Sequence, residues 1–265
     1  MVEVKRDFVE MSHGRTRYFE AGEGEPVLLV HGAGFLSGGD GWLPVLPGLG
    51  ERFHVYALDC LNFGPGDHLE QEFSFAYLVD HLREFQDVMG LESSHLVGHS
   101  MGGWLGVLLA YESPNRVRRF VDIAGGGAAT RNLTTMVAWQ PPPEEDVRAA
   151  VERYAGSNIS SDVLLEERLA MLHDEQTTAA FRRLMDHMTN PETRTRYNTL
   201  RRLPHISSPT LVVWGSEDKV NALELGEQTA QLIPDAKLVV YEGIGHNVPY
   251  EAPARLVETI TEFLA

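Results

Sequence analysis

Cysteine is almost absent from this 265-residue chain. Cys60 stands alone, so no intrachain disulfide can form and no zinc site can be built on cysteine. Positive charge is scarce as well. Twenty-two lysines and arginines face 38 aspartates and glutamates, a net charge of −16. Such a field repels phosphate backbones, so no nucleic-acid partner is expected. No apolar run reaches the ~18–20 residues of a membrane-spanning helix, so no membrane partner is expected either. The first residues, Met1-Val2-Glu3-Val4-Lys5-Arg6-Asp7, lack the basic-then-apolar pattern of a signal peptide. The expectation is a soluble, cytoplasmic protein. The scattered histidines, His31 and His54 among them, have no metal-ligand spacing, so neither a metal nor a cofactor is expected. What is present is ordinary for a globular protein: 43% apolar and 23% charged residues. The length suits one large domain, or one domain carrying an insertion.

Short runs rich in valine and leucine occupy residues 27–30, 54–58, 94–97, 119–123, 210–214 and 237–241. They show little alternation, the pattern of strands buried on both faces of a parallel sheet. Helical periodicity lies between them, at 74–89, 101–111, 222–232 and 254–264. Strand and helix alternate, which predicts an α/β fold with helices on both faces of the sheet. The first twenty residues differ. Residues 2–9 and 15–19 flank Ser12-His13-Gly14, as in an antiparallel hairpin at a sheet edge.

After Ile123 the alternation stops. Gly125-Gly126-Gly127 opens a passage that Pro141-Pro142-Pro143 punctuates, and helices are predicted at 144–155, 161–173, 177–188 and 192–203. Strand character resumes at Pro209. The passage 125–203 holds ten arginines, eleven acids and no lysine, against a strongly acidic remainder. Such a balance favours an anionic substrate. Arg182, Arg183, Arg194 and Arg196 read as ordinary surface charge.

One motif carries chemistry. Gly98-His99-Ser100-Met101-Gly102 is a Gly-x-Ser-x-Gly sequence between a predicted strand and a predicted helix, the context of a nucleophile elbow. The tight turn would expose Ser100 Oγ at a helix start, with the Met101 amide pointing at a developing oxyanion. A serine needs a base, and on such a fold the order is serine, acid, histidine. Asp218 follows the strand 210–214 and His246 follows 237–241, so both lie on the same sheet edge as Ser100. Glu217 and Asp122 compete for the acid's place. The loop His31-Gly32-Ala33-Gly34 follows the first core strand. It offers the second oxyanion donor, at Ala33 with Gly34 as runner-up, while His31 orients the loop.

Through these segments, together with Gly215-Ser216-Glu217-Asp218 and Gly245-His246, the chain resembles the α/β-hydrolase superfamily over nearly its full length. The resemblance implies a mostly parallel, eight-stranded sheet with helices on both faces and a helical cap inserted after strand six. That divides the chain into a core (1–124 and 204–265) and a cap (125–203). Within the superfamily the chain looks most like the meta-cleavage-product hydrolases, which break a carbon–carbon bond in 2-hydroxy-6-oxo-dienoates. The likeness includes Gly41-Trp42, the proline-rich cap entry and Leu164-Leu165-Glu166-Glu167-Arg168. It implies a small-molecule substrate, with Arg168 on its carboxylate and Trp42, His99 and Asn247 along its site. A homodimer is allowed, since relatives often dimerise. The chain departs from that family at His99, usually Asn, at Asn247, usually Trp, and at Leu43-Pro44, where a polar Asn is common. It also replaces the usual Asp-x-Pro-Gly with Asp59-Cys60-Leu61-Asn62. The rival readings are a carboxylesterase or lactonase acting on small esters, and a non-catalytic small-ligand receptor. Chemistry that needs an aspartate nucleophile is disfavoured by Ser100.

Overall fold

The computed structural model describes residues 2–70, 74–129, 139–152 and 157–265. Eight strands form one sheet: β1 (Val4–Met11), β2 (Gly14–Ala21), β3 (Pro26–Val30), β4 (His54–Leu58), β5 (Ser94–His99), β6 (Val117–Ile123), β7 (Thr210–Gly215) and β8 (Lys237–Tyr241). Their order is β1-β2-β4-β3-β5-β6-β7-β8. The β1–β2 hairpin is antiparallel and β2 also pairs antiparallel with β4. Every other pairing is parallel. The hairpin turn falls within the expected Ser12-His13-Gly14; the first strand is shifted two residues along from 2–9, and the second starts one residue earlier and ends two later than 15–19.

The central strands are apolar without alternation because both faces are covered. Along β3, Leu28 and Val30 face one core with α1 (Phe75–Val88) and α2 (Met101–Glu112). Val27 and Leu29 face the other, with α8 (Pro253–Leu264). On α1, Phe75, Leu78, Leu82 and Phe85 form the buried stripe expected of an amphipathic helix. On α2, every residue from Met101 to Ala110 is buried. This helix sits within the core, so its sequence is apolar all round. Between β7 and β8 lies α7 (Leu223–Leu232), packed on Trp214.

Among the described residues, four α-helices lie between β6 and β7: α3 (Glu144–Val151), α4 (Ser161–His173), α5 (Glu175–Thr189) and α6 (Pro191–Tyr197). The Asp174 carboxylate accepts the Thr177 amide at 2.8 Å and starts α5. Asn190 accepts the amides of Glu192 and Thr193 to start α6, with Pro191 at its first position. The last of the four was expected to reach Leu203 but stops at Tyr197. Asn198 turns extended, and its side chain takes the Leu200 amide at 3.0 Å, a local bond that competes with helix continuation. The end of the helix expected at 144–155 lies outside the described residues.

A buried ion cluster fastens α4 to the hairpin edge of the sheet. Arg17, 2% exposed, binds Asp59 through Nε at 2.9 Å and Nη2 at 3.1 Å, and Glu167 through Nη1 at 2.8 Å. Arg6 pairs with the other oxygen of Glu167. Arg17 Nη2 also lies 3.5 Å from Asp40, which Arg168 holds at 2.9 Å. Burial opposes the charge on Asp40, but Arg168 and Arg17 outweigh it and hold the carboxyl below its ordinary range. Asp59 Oδ1 also accepts the Gly39 amide at 2.7 Å. Asp59, which the usual Asp-x-Pro-Gly run also has, supplies a carboxylate of this cluster; the departure at Cys60-Leu61-Asn62 is not explained by it.

Candidate active site

The turn after β5 carries Ser100 at φ 55°, ψ −109°, a strained conformation for a residue with a side chain. The surroundings enforce it. The Ser100 amide donates to Ile123 O at 2.8 Å, and its carbonyl accepts from Gly126 and Trp104. Glycine is required on both sides. A Cβ at Gly98 would sit 2.2 Å from the Gly102 carbonyl oxygen, and one at Gly102 would sit 2.0 Å from that of Val30. Backbone cannot yield to such contacts. This is the geometry of a nucleophile elbow, and it presents Ser100 Oγ at the start of α2.

His246 Nε2 lies 3.0 Å from Ser100 Oγ, and His246 Nδ1 lies 2.8 Å from Asp218 Oδ2. The other Asp218 oxygen accepts the amides of Val220 and Asn221, both at 2.8 Å. The carboxylate side chain is wholly buried. Three residues from three strand ends thus form one hydrogen-bonded line. Glu217 is exposed and has no bond to the imidazole. Asp122 lies at the end of β6, away from His246, with Oδ1 buried and unpartnered. Burial pushes its pKa up to about 7.

Two further histidines have their protons assigned by their partners. His99 Nε2 lies 2.9 Å from the His246 carbonyl oxygen, which can only accept, so Nε2 carries the proton and donates. His31 Nε2 accepts the Cys60 amide at 2.9 Å, so its proton is on Nδ1, which donates to Gly32 O at 2.8 Å. His31 therefore pins the loop holding Ala33 to the turn after β4, the orienting role expected of it. Both rings are buried and neutral: desolvation takes His99 down to about 3 and lowers His31 as well.

These neutral imidazoles set a pH dependence. Buried His81 is also held near about 3 by desolvation. In the unfolded chain each histidine takes a proton as pH falls below its ordinary value near ~6.5; in the folded chain it does not. Unfolding then binds protons, and stability is lost as pH falls from about 6.5 toward 3. Asp122 works the other way: it keeps its proton when folded up to about 7 and loses it near ~4 when unfolded, so its contribution declines as pH rises between those values. Between pH 7 and 5, His81 and His99 are each expected to cost about 2 kcal/mol on acidification, against about 2 kcal/mol in the opposite sense from Asp122. Urea unfolding should therefore show a lower midpoint at pH 5 than at pH 7, and a larger drop in Asp122→Asn. A midpoint unchanged between the two would mean that the imidazoles accept protons while folded.

Ser100 and His246 border a cavity of about 660 Å³. Ala33, Gly34 and Met101 are on its wall. Met101 is the first residue of α2, so its amide has no acceptor within the helix. Trp42, His99 and Asn247 also line the cavity, and the Trp42 indole Nε1 is buried without a partner. Arg168 is elsewhere: its guanidinium lies on Asp40 and takes no part in the cavity wall. The sequence reading of Arg168 as the carboxylate anchor is corrected in this respect, because Asp40 already occupies the fork. Arg194, read as surface charge, is a second correction. It is 8% exposed and lines the cavity together with Met188 and Trp104. Arg183 is half-buried and donates to Leu69 O.

Residues 27–259 match the family described as alpha/beta hydrolase family. A 2-hydroxymuconate semialdehyde hydrolase of Pseudomonas sp. (strain CF600) is 30% identical, over 95% of this chain and 90% of that protein. Among solved structures, a serine hydrolase involved in carbazole degradation is 28% identical, covers 98% of each chain and has a TM-score of 0.81. A meta-cleavage product hydrolase from Pseudomonas fluorescens is 25% identical, covers 97% of each chain and has a TM-score of 0.79. With the elbow, the sheet order and these likenesses in agreement, the chain belongs to the alpha/beta hydrolase family.

Proposed function

We propose that this protein is a serine hydrolase of the meta-cleavage-product type, cleaving a carbon–carbon bond in an anionic, 2-hydroxy-6-oxo-dienoate-like substrate. The observation that carries the reading is the line Ser100–His246–Asp218, whose first two members stand on the wall of a 660 Å³ cavity. The names of the relatives supply the substrate class. Ser100 Oγ adds to an activated carbonyl while His246 Nε2 takes its proton. Asp218 holds the imidazole tautomer and offsets its charge. The Met101 and Ala33 amides, with Gly34 as runner-up for the latter, receive the oxyanion. For a dienoate, the dienol first takes a proton on carbon and becomes a ketone. The bond beside the 6-oxo carbon then breaks, and its electron pair passes into the leaving dienolate. Water releases the acyl group as an acid. The helices α3–α6 act as the cap over this chemistry.

One observation favours a second reading, hydrolysis of small carboxylic esters. Arg168, the arginine matching the family's carboxylate anchor, is neutralised by Asp40. The test compares two time courses with the wild-type protein. One follows the dienoate chromophore of a 2-hydroxy-6-oxo-dienoate; the other follows release of 4-nitrophenol from a short ester. Loss of the chromophore at a kcat/KM above that for the ester is the expected result. Ester turnover with a persistent chromophore would replace the first reading by the second.

A further inference from the structure

We propose that Arg194, on α6, is the anchor for a carboxylate carried by the substrate, so that the site prefers acyl groups ending in a second acid. The assignment rests on the hydrolase reading above and adds to it a carboxylate on the acyl group and the residue that reads it.

The buried arginines of this protein fall into two kinds. Arg17 and Arg168 are matched by carboxylates at 2.8–3.2 Å. Arg202 and Arg194 are also buried and have no ion pair with any described carboxylate; of the two, the one on the cavity wall is Arg194. Nη1 donates to Met188 O at 3.3 Å and Nη2 to Ala129 O at 3.0 Å. Its Nε is buried with no partner among the described residues. A guanidinium has five N–H donors, so donors remain beyond the two already committed. The carbon of the guanidinium lies 5.4 Å from the Trp104 ring centre, over its face. Two carbonyls and an aromatic face hold the group in place without cancelling its charge. Burial alone pushes its pKa down, and no neighbouring acid lifts it.

Arg194 shares the wall of one cavity with Ser100 and His246. Glu224 is the acid on that wall and is exposed, with no bond to Arg194. A buried cation without a counter-ion is costly unless something supplies the opposite charge. In this cavity the substrate is what enters. A carboxylate fits the planar fork, and a desolvated pair of this kind has a larger effect than one at the surface.

The test uses two esters of equal chain length, mono(4-nitrophenyl) adipate and 4-nitrophenyl hexanoate, which differ in one terminal carboxylate. Wild type is expected to favour the adipate ester. In Arg194→Met the ratio of kcat/KM, adipate over hexanoate, should fall about 10- to 100-fold, and Arg194→Lys should keep an intermediate ratio. A ratio unchanged within twofold in Arg194→Met overturns the assignment. A second arm needs no turnover. Adipate and adipamide are titrated against Ser100→Ala, with tryptophan emission as the signal because Trp104 lies beside the guanidinium. Tighter binding of adipate that is lost on adding Arg194→Met supports the assignment. A preference for adipate that survives the change overturns it. If wild type cleaves neither ester, the ester reading fails, the dienoate time course still decides the hydrolase reading, and the titration still decides Arg194.

Discussion

Ser100→Ala is expected to lower kcat by a factor on the order of 10⁴–10⁶ while leaving the fold and substrate binding in place. The side chain contributes one oxygen, 3.0 Å from the imidazole proposed to activate it, and no other described hydroxyl reaches His246. The backbone at this position is fixed by the Ile123, Gly126 and Trp104 bonds and by the crowding at Gly98 and Gly102, none of which involves the hydroxyl. Thermal unfolding should therefore be close to wild type. His246→Ala should match Ser100→Ala, and the double variant should lose little more, because residues that act as one unit are not additive. Single-turnover measurements would check this. Residual kcat within tenfold of wild type in Ser100→Ala would remove the serine from the chemistry and leave direct attack by water.

Arg17→Met carries the second large effect, and it falls on stability. The substitution leaves Asp59 buried with only the Gly39 amide and Glu167 with only Arg6. Breaking a buried pair from one side typically costs about 3–5 kcal/mol, because the remaining charge stays desolvated. For a protein of this size that corresponds to a fall in Tm of roughly 6–20 °C. Adding Asp59→Asn should restore part of the loss: the amide oxygen can still take the Gly39 N–H, and the stranded charge is gone. Differential scanning calorimetry on the four proteins of the cycle would measure the coupling. A shift in Arg17→Met of less than about 2 °C would mean that the cluster is hydrated rather than buried.

The sheet and the line of three were legible in the sequence for a common reason. Strand–turn–helix grammar is local, and a catalytic group at a strand's C-terminal end needs only a few residues of context. Ser100, Asp218 and His246 each carry that context, and the glycines around Ser100 announce the crowding seen at 98 and 102. The arginines lack such a signature. Arg168 sits on a helix, and whether it meets the substrate or an acid depends on Asp40, 128 residues away in sequence. Helical period alone gives no hint of that pairing. Arg194 occupies a seven-residue helix, too short for a periodic stripe to mark an inner face. Its burial follows from the turn at Asn198 and from Trp104, whose indole N–H donates to the Tyr197 carbonyl at 2.8 Å. The role of Asp59 could not be read from the sequence either, because it required seeing Arg17 beside it.

The crowding at Gly98 and Gly102 also bears on how this protein can change over generations. No side chain larger than hydrogen fits at either place without moving backbone, so the reacting end of the cavity has almost no neighbouring sequences to explore. The opposite wall is different. Ala129, Met188 and Arg194 belong to the segment between β6 and β7, where a replaced side chain meets a cavity rather than a main chain. Selection for a new substrate is therefore channelled into that segment, and an engineer's library should be placed there, with the elbow left untouched.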